Sequence, residues 1–316
     1  MKSSLNPLQQ ALDGYLREVV DLVWRIRTQD TGRRVLGLVA GRPESEDVEI
    51  GIDRLCEDLL EKWLKTSVAR IDLHSEHSLR RIGGSAGSSS PLRGEAFGPA
   101  TGPKGEGVPR YLVTCDPFDG SGHFMRGIPG EWWSVLTFWD AATLTPVLAG
   151  AADIGRRELY VAGADGVTLE SLLTGEKQQV RPAQHTALSD RSVVSAYLMA
   201  PAYIAVWTHR AAGLLRVLRE RYPKARVWTD GGACSYPWLA RGITHAYIMF
   251  NEPRSEIDPG LGFVWAANLG VYSVSDDGAL TDYRFVPGES SGRVPWLIAA
   301  CTRSLAEDIV SAILKG

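Results

Sequence analysis

The stretch that most restricts the fold is "TCDPFDGSGHFMRG", residues 114–127. It follows the apolar run Tyr111–Val113, so a strand ends where two aspartates, Asp116 and Asp119, arrive three positions apart. Two carboxylates at a strand end repel each other unless a cation lies between them, and hard divalent cations such as Mg²⁺ take oxygen ligands. Gly120 and Gly122 then allow backbone N–H groups to approach an anion, and the turn or helix start after them favours negative charge. Open α/β sheets bind ligands at such strand ends. The pattern predicts a phosphoryl site, with a plain Asp-Pro-x-Asp-Gly turn as the alternative.

The rest of the chain must supply the layers around that strand. At 316 residues it exceeds the size at which single cores stop growing, so two lobes are expected, residues 1–185 and 186–316. The polar connection from about Thr174 to Asp190 sets the boundary. A 44% apolar and 22% charged composition is that of a globular chain. A net charge of -3 without a Lys/Arg block argues against a nucleic-acid polymer as partner. No stretch has the length and apolarity of a membrane span, and the N-terminus lacks the apolar core of a signal peptide, so the cytoplasm is the expected location. Cys56, Cys115, Cys234 and Cys301 show no Cys-x-x-Cys spacing and read as buried thiols.

Apolar residues at helical spacing predict amphipathic helices from Pro7 to about Thr28 and from about Ile52 to Thr66. Strands are expected at "ARIDLHS", "RYLVTCD", "WWSVLTFWD", "VLAGAAD" and "ELYVAGA". Further helices are expected at 208–221, 233–241 and Val294–Leu314, with strands at "AYIMF" and "GVYSVS". Trp132, Trp133 and Trp139 fit a strand core better than a base-stacking platform. The Gly, Ser and Pro-rich stretch from Gly83 to Gly107 is either disordered or a lid over the site.

"DPFDGSGHFMRGIP" resembles the D-P-[IL]-D-G-T-x-N-F-x-R-G-x-P signature of the inositol monophosphatase family, Mg²⁺-dependent phosphatases of a lithium-sensitive superfamily. Other family landmarks occur in the same order. "EDVEIGIDRLCE" is similar to D-L-V-T-x-x-D-x-x-x-E, and "DLHSEHS" to I-x-G-E-E-S. "DGGACSYPWLARGITHAY" resembles G-S-A-A-x-x-x-x-x-V-A-x-G-x-x-D-A-Y, and "IDPGLGFVWAANLGVYSVSDDG" resembles W-D-x-A-A-G with a later E-A-G-G. The resemblance spans about Leu8 to Leu314 and implies an α+β or α/β chain layered as an αβαβα sandwich.

Carried over residue by residue, it implies a site of two or three Mg²⁺ ions held by Glu76, Asp116, the Phe118 carbonyl, Asp119 and Asp258. Asp53, Glu76 and Ser121 become the catalytic positions, with Ser121 and Asp53 orienting a metal-activated water. Gly120 and Ser121 receive the phosphate. Asp53 also fits a charge at a helix N-terminus, and Asp47 an N-cap.

The sequence departs from the family at its substrate end. Met249 stands where inositol monophosphatases hold a ring hydroxyl with glutamate, and Asp230 where glycine is usual, beside Gly231 and Gly232. His77 replaces the family's second glutamate, and His123 an asparagine; His123 and Ile257 look structural. The expected activity is therefore phosphomonoester hydrolysis of a small phosphorylated metabolite other than inositol phosphate. Alternatives are an inositol- or sugar-phosphate phosphatase, a 3'-phosphonucleotide phosphatase, or a non-catalytic relative binding a phosphorylated ligand. Family members are often homodimers.

Overall fold

The computed structural model describes residues 2–39, 48–67, 70–75, 79–82, 90–91, 110–128 and 130–315. Asp47, Glu76, His77 and all of 83–107 except 90–91 lie outside these residues.

The chain begins with α1 (Lys2–Ile26), α2 (Asp30–Arg33), the hairpin β1 (Val35–Leu38) and β2 (Val48–Ile50), and α3 (Gly51–Leu64). Strands β3 (Ile71–Ser75), β4 (Leu79–Ile82), β5 (Ser90–Pro91) and β6 (Tyr111–Asp119) come next, then the short α4 (Ser121–Met125). The hairpins β7 (Trp133–Asp140), β8 (Thr145–Asp153), β9 (Glu158–Gly163), β10 (Gly166–Ser171) and β11 (Lys177–Val180) complete a nine-stranded sheet. Its order is β11-β10-β9-β8-β7-β6-β3-β4-β5, antiparallel except for β3 beside β6.

A second sheet begins at β12 (Val193–Ser195). Helices α5 (Pro201–Arg210) and α6 (Ala212–Arg221), β13 (Arg226–Trp228), α7 (Ser235–Arg241) and β14 (Ala246–Pro253) succeed it. After α8 (Arg254–Ile257), a 3₁₀ turn at Asp258–Gly260 and α9 (Leu261–Ala267), the chain ends with β15 (Gly270–Val274), β16 (Leu280–Asp282), β17 (Arg293–Ala300) and α10 (Arg303–Leu314). The strand order is β13-β12-β14-β17-β15-β16.

Alternation along the strands sorts side chains into two cores. On β7, Leu136 and Phe138 join Leu12, Tyr15, Leu16 and Val19 of α1 on the outer face. Trp133, Val135 and Trp139 point the other way, toward Trp238 and Leu239 of α7, Phe263 of α9 and the second sheet. The far face of that second sheet is covered by α5, α6 and α10, through Trp207, Leu214 and Ile309. The layers are therefore helix, sheet, helix, sheet, helix. One hydrophobic core runs through the middle and far layers, and the chain passes from the first sheet to the second between 181 and 192.

Trp132, Trp133 and Trp139 are buried in these cores, as are all four free cysteines. The helix expected from Val294 differs: "RVPWLIAA" is β17, paired between β14 and β15, and helix begins only at Arg303. A continuous apolar run is ambiguous in period, and here it is buried on both faces of a central strand. Thr302 caps the last helix by accepting from the Leu305 N–H. The region expected to be helical at 208–221 is two helices meeting at Ala211, and the first starts earlier, at Pro201.

Candidate active site

Asp116 and Asp119 are three residues apart, so an ideal strand would aim them at opposite faces. The pairing of β6 with β7 is irregular between these two positions. Such a break re-aims a side chain, and both carboxylates line one cavity of about 250 Å³. Asp116 is 3% exposed, and its Oδ1 accepts from the Phe118 N–H at 3.2 Å. Asp119 Oδ2 accepts from the Cys234 N–H at 2.9 Å, which ties the end of β6 to the start of α7.

The third carboxylate is Glu256. Oxygens of Asp116, Asp119 and Glu256 all lie within 4.8 Å of one another. Two threonines hold the segment that carries Glu256. Thr114 Oγ1 donates to the Asp258 carbonyl at 3.0 Å, and Thr137 Oγ1 donates to the Pro259 carbonyl at 2.6 Å. Gly232, at φ +110°, closes the wall: a Cβ there would lie 3.1–3.2 Å from carboxylate oxygens of Glu256 and Asp119. Burial, then the neighbouring Glu256 and Asp230 charges, hold the Asp119 carboxyl well above its usual range.

Asp258, expected among the ligands, is not one of these three. Two residues along a helical turn rotate a side chain by about 200°, so Glu256 and Asp258 leave the segment on opposite sides. The Asp258 carboxylate accepts from the Tyr283 hydroxyl at 2.7 Å and faces a separate small cavity with His74 and Phe285. His74 meets the Phe285 ring edge to face at 6.1 Å.

Burial pushes the Asp258 carboxyl up to about 7, against the lowering effect of Tyr283. Unfolded, it titrates near 3.9. Its contribution to stability is therefore full below that value and is lost as pH rises through about 7. Asp258→Asn keeps an acceptor for Tyr283. It is expected to be more stable than the parent at pH 8, by on the order of 1–3 kcal/mol, with a smaller gap at pH 5. Melting curves at both pH values check this; an equal gap would contradict it.

Next to the three carboxylates, Ser121 Oγ donates to Asp53 Oδ1 at 2.6 Å. Asp53 is the third residue of α3 and 1% exposed, and its other oxygen accepts from the Ile50 N–H at 2.7 Å. The helix-start role and the contact with Ser121 thus coexist in one side chain. Gly120, at φ +108°, makes the turn from β6 into α4, where a Cβ would lie 2.2 Å from the Glu131 carbonyl. The first turn of any helix leaves its N–H groups without intrahelical acceptors, and Gly120, Ser121 and Gly122 line the cavity there.

Asp230, Gly231 and Gly232 line the cavity beside these carboxylates, and Met249 does not. Met249 is 1% exposed on β14, where its sulfur accepts from the Tyr197 N–H. Tyr197, Met199 and Tyr203 form the wall instead. These residues and Glu256 carried no signal in the sequence, because they belong to no catalytic spacing. His123, read as structural, also lines the cavity, with Nδ1 3.9 Å from Asp230 Oδ2.

Solved structures match this layering over nearly the whole chain. A Pyrococcus horikoshii protein described as hypothetical, with similarities for inositol-1 monophosphatase, superimposes over 98% of this chain and 99% of its own at TM-score 0.66 and 17% identity. The chain has the inositol monophosphatase fold. Thermotoga maritima inositol monophosphatase matches over 98% of this chain and 97% of its own, at TM-score 0.64 and 15% identity. Mycobacterium tuberculosis SuhB matches over 98% and 96%, at TM-score 0.61 and 16% identity. No protein-family model matches the sequence, and no curated protein matches it. Among the described residues, no helix of this inositol monophosphatase fold is long and apolar enough to cross a membrane.

Proposed function

We propose that the protein is a Mg²⁺-dependent phosphomonoesterase acting on a small phosphorylated metabolite. The observation that carries this reading is the set of three carboxylates within 4.8 Å, beside a serine already hydrogen-bonded to a buried aspartate. The donor set fits the ion: all oxygen, anionic, largely removed from water and mutually repelling, which suits a hard divalent cation. Asp116, Asp119, Glu256 and the Phe118 carbonyl would hold two or three Mg²⁺ ions, with Glu76 as a further donor. Bound Mg²⁺ supplies Lewis acidity toward the phosphoryl oxygens and the attacking water.

The protein's own groups do the rest. Backbone N–H groups at Gly120–Gly122 receive phosphate oxygens. Ser121 orients the attacking water, and Asp53, through Ser121, holds that hydroxyl in one direction and favours proton transfer away from the nucleophile. The water adds in line as the P–O bond to the leaving group breaks, giving inorganic phosphate and an alcohol. Met249 is enclosed in the core, so a glutamate-like grip on an inositol ring is missing at that position. This favours a substrate other than inositol phosphate.

The test is phosphate release from inositol, sugar, and 2'-, 3'- and 5'-nucleoside phosphates, with Mg²⁺ or EDTA, beside Asp119→Asn. Release that needs Mg²⁺ and disappears in the variant is expected. Absence of metal-dependent release from every ester, with the same phosphates binding in calorimetry, would make the protein a phospho-ligand-binding relative.

A further inference from the structure

Besides the three clustered carboxylates, two acids that the phosphate chemistry does not use line the cavity: Glu252, whose Oε1 accepts from the Tyr247 hydroxyl at 2.5 Å, and Asp230. Asp230 lies just after β13, and its side chain is 13% exposed. Its Oδ1 accepts from the Gly231 N–H at 2.9 Å. Its one ion-pair contact among the described residues is His123 Nδ1, at 3.9 Å from Oδ2 and so beyond hydrogen-bond distance. A carboxylate has about four acceptor positions, so Asp230 retains acceptor capacity toward a ligand.

The strand segment beside it brings aromatic surface. Ala196 N–H donates to the Trp228 carbonyl and Leu198 N–H to that of Thr229, at 3.0 and 3.1 Å, so Tyr197 runs alongside Asp230. The Tyr197 and Tyr203 rings meet edge to face at 5.2 Å. Ring faces and a carboxylate both attract cations, and both repel a second phosphate or a carboxylate. The guanidinium on the cavity wall, Arg126, donates to the Gly122 carbonyl at 2.7 Å, on the phosphate side. Filling the cavity displaces water, so an ionised Asp230 must then be matched by the ligand.

From this wall we infer that the leaving-group end recognises a phosphate ester bearing a protonated amine, with Asp230 taking the ammonium and Tyr197 and Tyr203 covering its flank. The inference rests on the phosphomonoesterase reading. A neutral hydroxyl would gain only an ordinary hydrogen bond at Asp230, whereas an ammonium gains a charge-assisted one.

Two esters that differ in this one group test it: 4-(2-aminoethyl)phenyl phosphate and 4-(2-hydroxyethyl)phenyl phosphate. The assay is run with Mg²⁺ at pH 8, above the value of about 6 to which burial raises Asp230. The parent protein is expected to favour the amine in kcat/KM by about tenfold or more, as a charge-assisted contact allows. Asp230→Asn, which keeps an acceptor for Gly231, brings the ratio near one. Asp230→Lys shifts preference to the matching ester with a terminal carboxylate, a gain that misfolding cannot produce. Equal kcat/KM in the parent, or a ratio that survives Asp230→Asn, overturns the inference. If neither ester is hydrolysed, the phosphomonoesterase reading is decided by the phosphate panel above and not by this pair. Calorimetric Kd values for the same pair then decide the amine preference alone: tighter binding of the amine supports it, and equal binding overturns it.

Discussion

Glu256→Gln is expected to abolish Mg²⁺-dependent phosphate release, by about 10²-fold or more, while Asp258→Asn keeps most of it. The charge stabilisation a divalent ion gives a transferring phosphoryl group is several kcal/mol, and each 1.36 kcal/mol is tenfold in rate. Losing one of three clustered carboxylates removes a ligand and part of the negative field that holds the ion. Asp258, by contrast, is turned toward Tyr283 and a different cavity. Calorimetric titration of Mg²⁺ into both variants, beside phosphate release, separates the two residues. A collapse of Mg²⁺ affinity in Asp258→Asn with a normal isotherm in Glu256→Gln would reverse the assignment.

The second large effect concerns the Ser121–Asp53 pair. Ser121→Ala and Asp53→Asn are each expected to lower kcat by about 10²- to 10⁴-fold, the range for positioned proton-transfer groups. The double variant is expected to lose little more than the worse single one, because groups acting as a unit are not additive. Asp53 also accepts from the Ile50 N–H at the start of α3, so Asp53→Asn carries a stability cost as well. Ser121→Ala does not touch that bond. A Ser121→Ala enzyme within about threefold of the parent would reduce the pair to a helix-start contact and remove it from the proton path.

The first helices, most of the first-half strands and the turn at Gly120 were legible because each rests on local signals. Periods of 3.6 and 2 marked α1, α3 and β6 to β9, and Gly120 marked a turn that only a left-handed backbone completes. Where a run was apolar throughout, as in Leu297–Ala300, the period vanished and helix was expected where a central strand stands.

The site divides along the same line. Asp116, Asp119, Ser121 and Asp53 carried their chemistry in sequence, through spacing and the motifs around them. That Asp116 and Asp119 face one cavity was decided by the irregular pairing of β6 with β7, a property of two strands 14 residues or more apart at the point of contact. The choice between Glu256 and Asp258 lay deeper still. Both are acids near the expected position, and which one meets the other carboxylates depends on how that helical turn packs, with the threonine hydroxyls of β6 and β7 holding the carbonyls of Asp258 and Pro259. The residue types came from the chain alone. Their direction came from packing, because a side chain's orientation depends on neighbours that are distant in sequence.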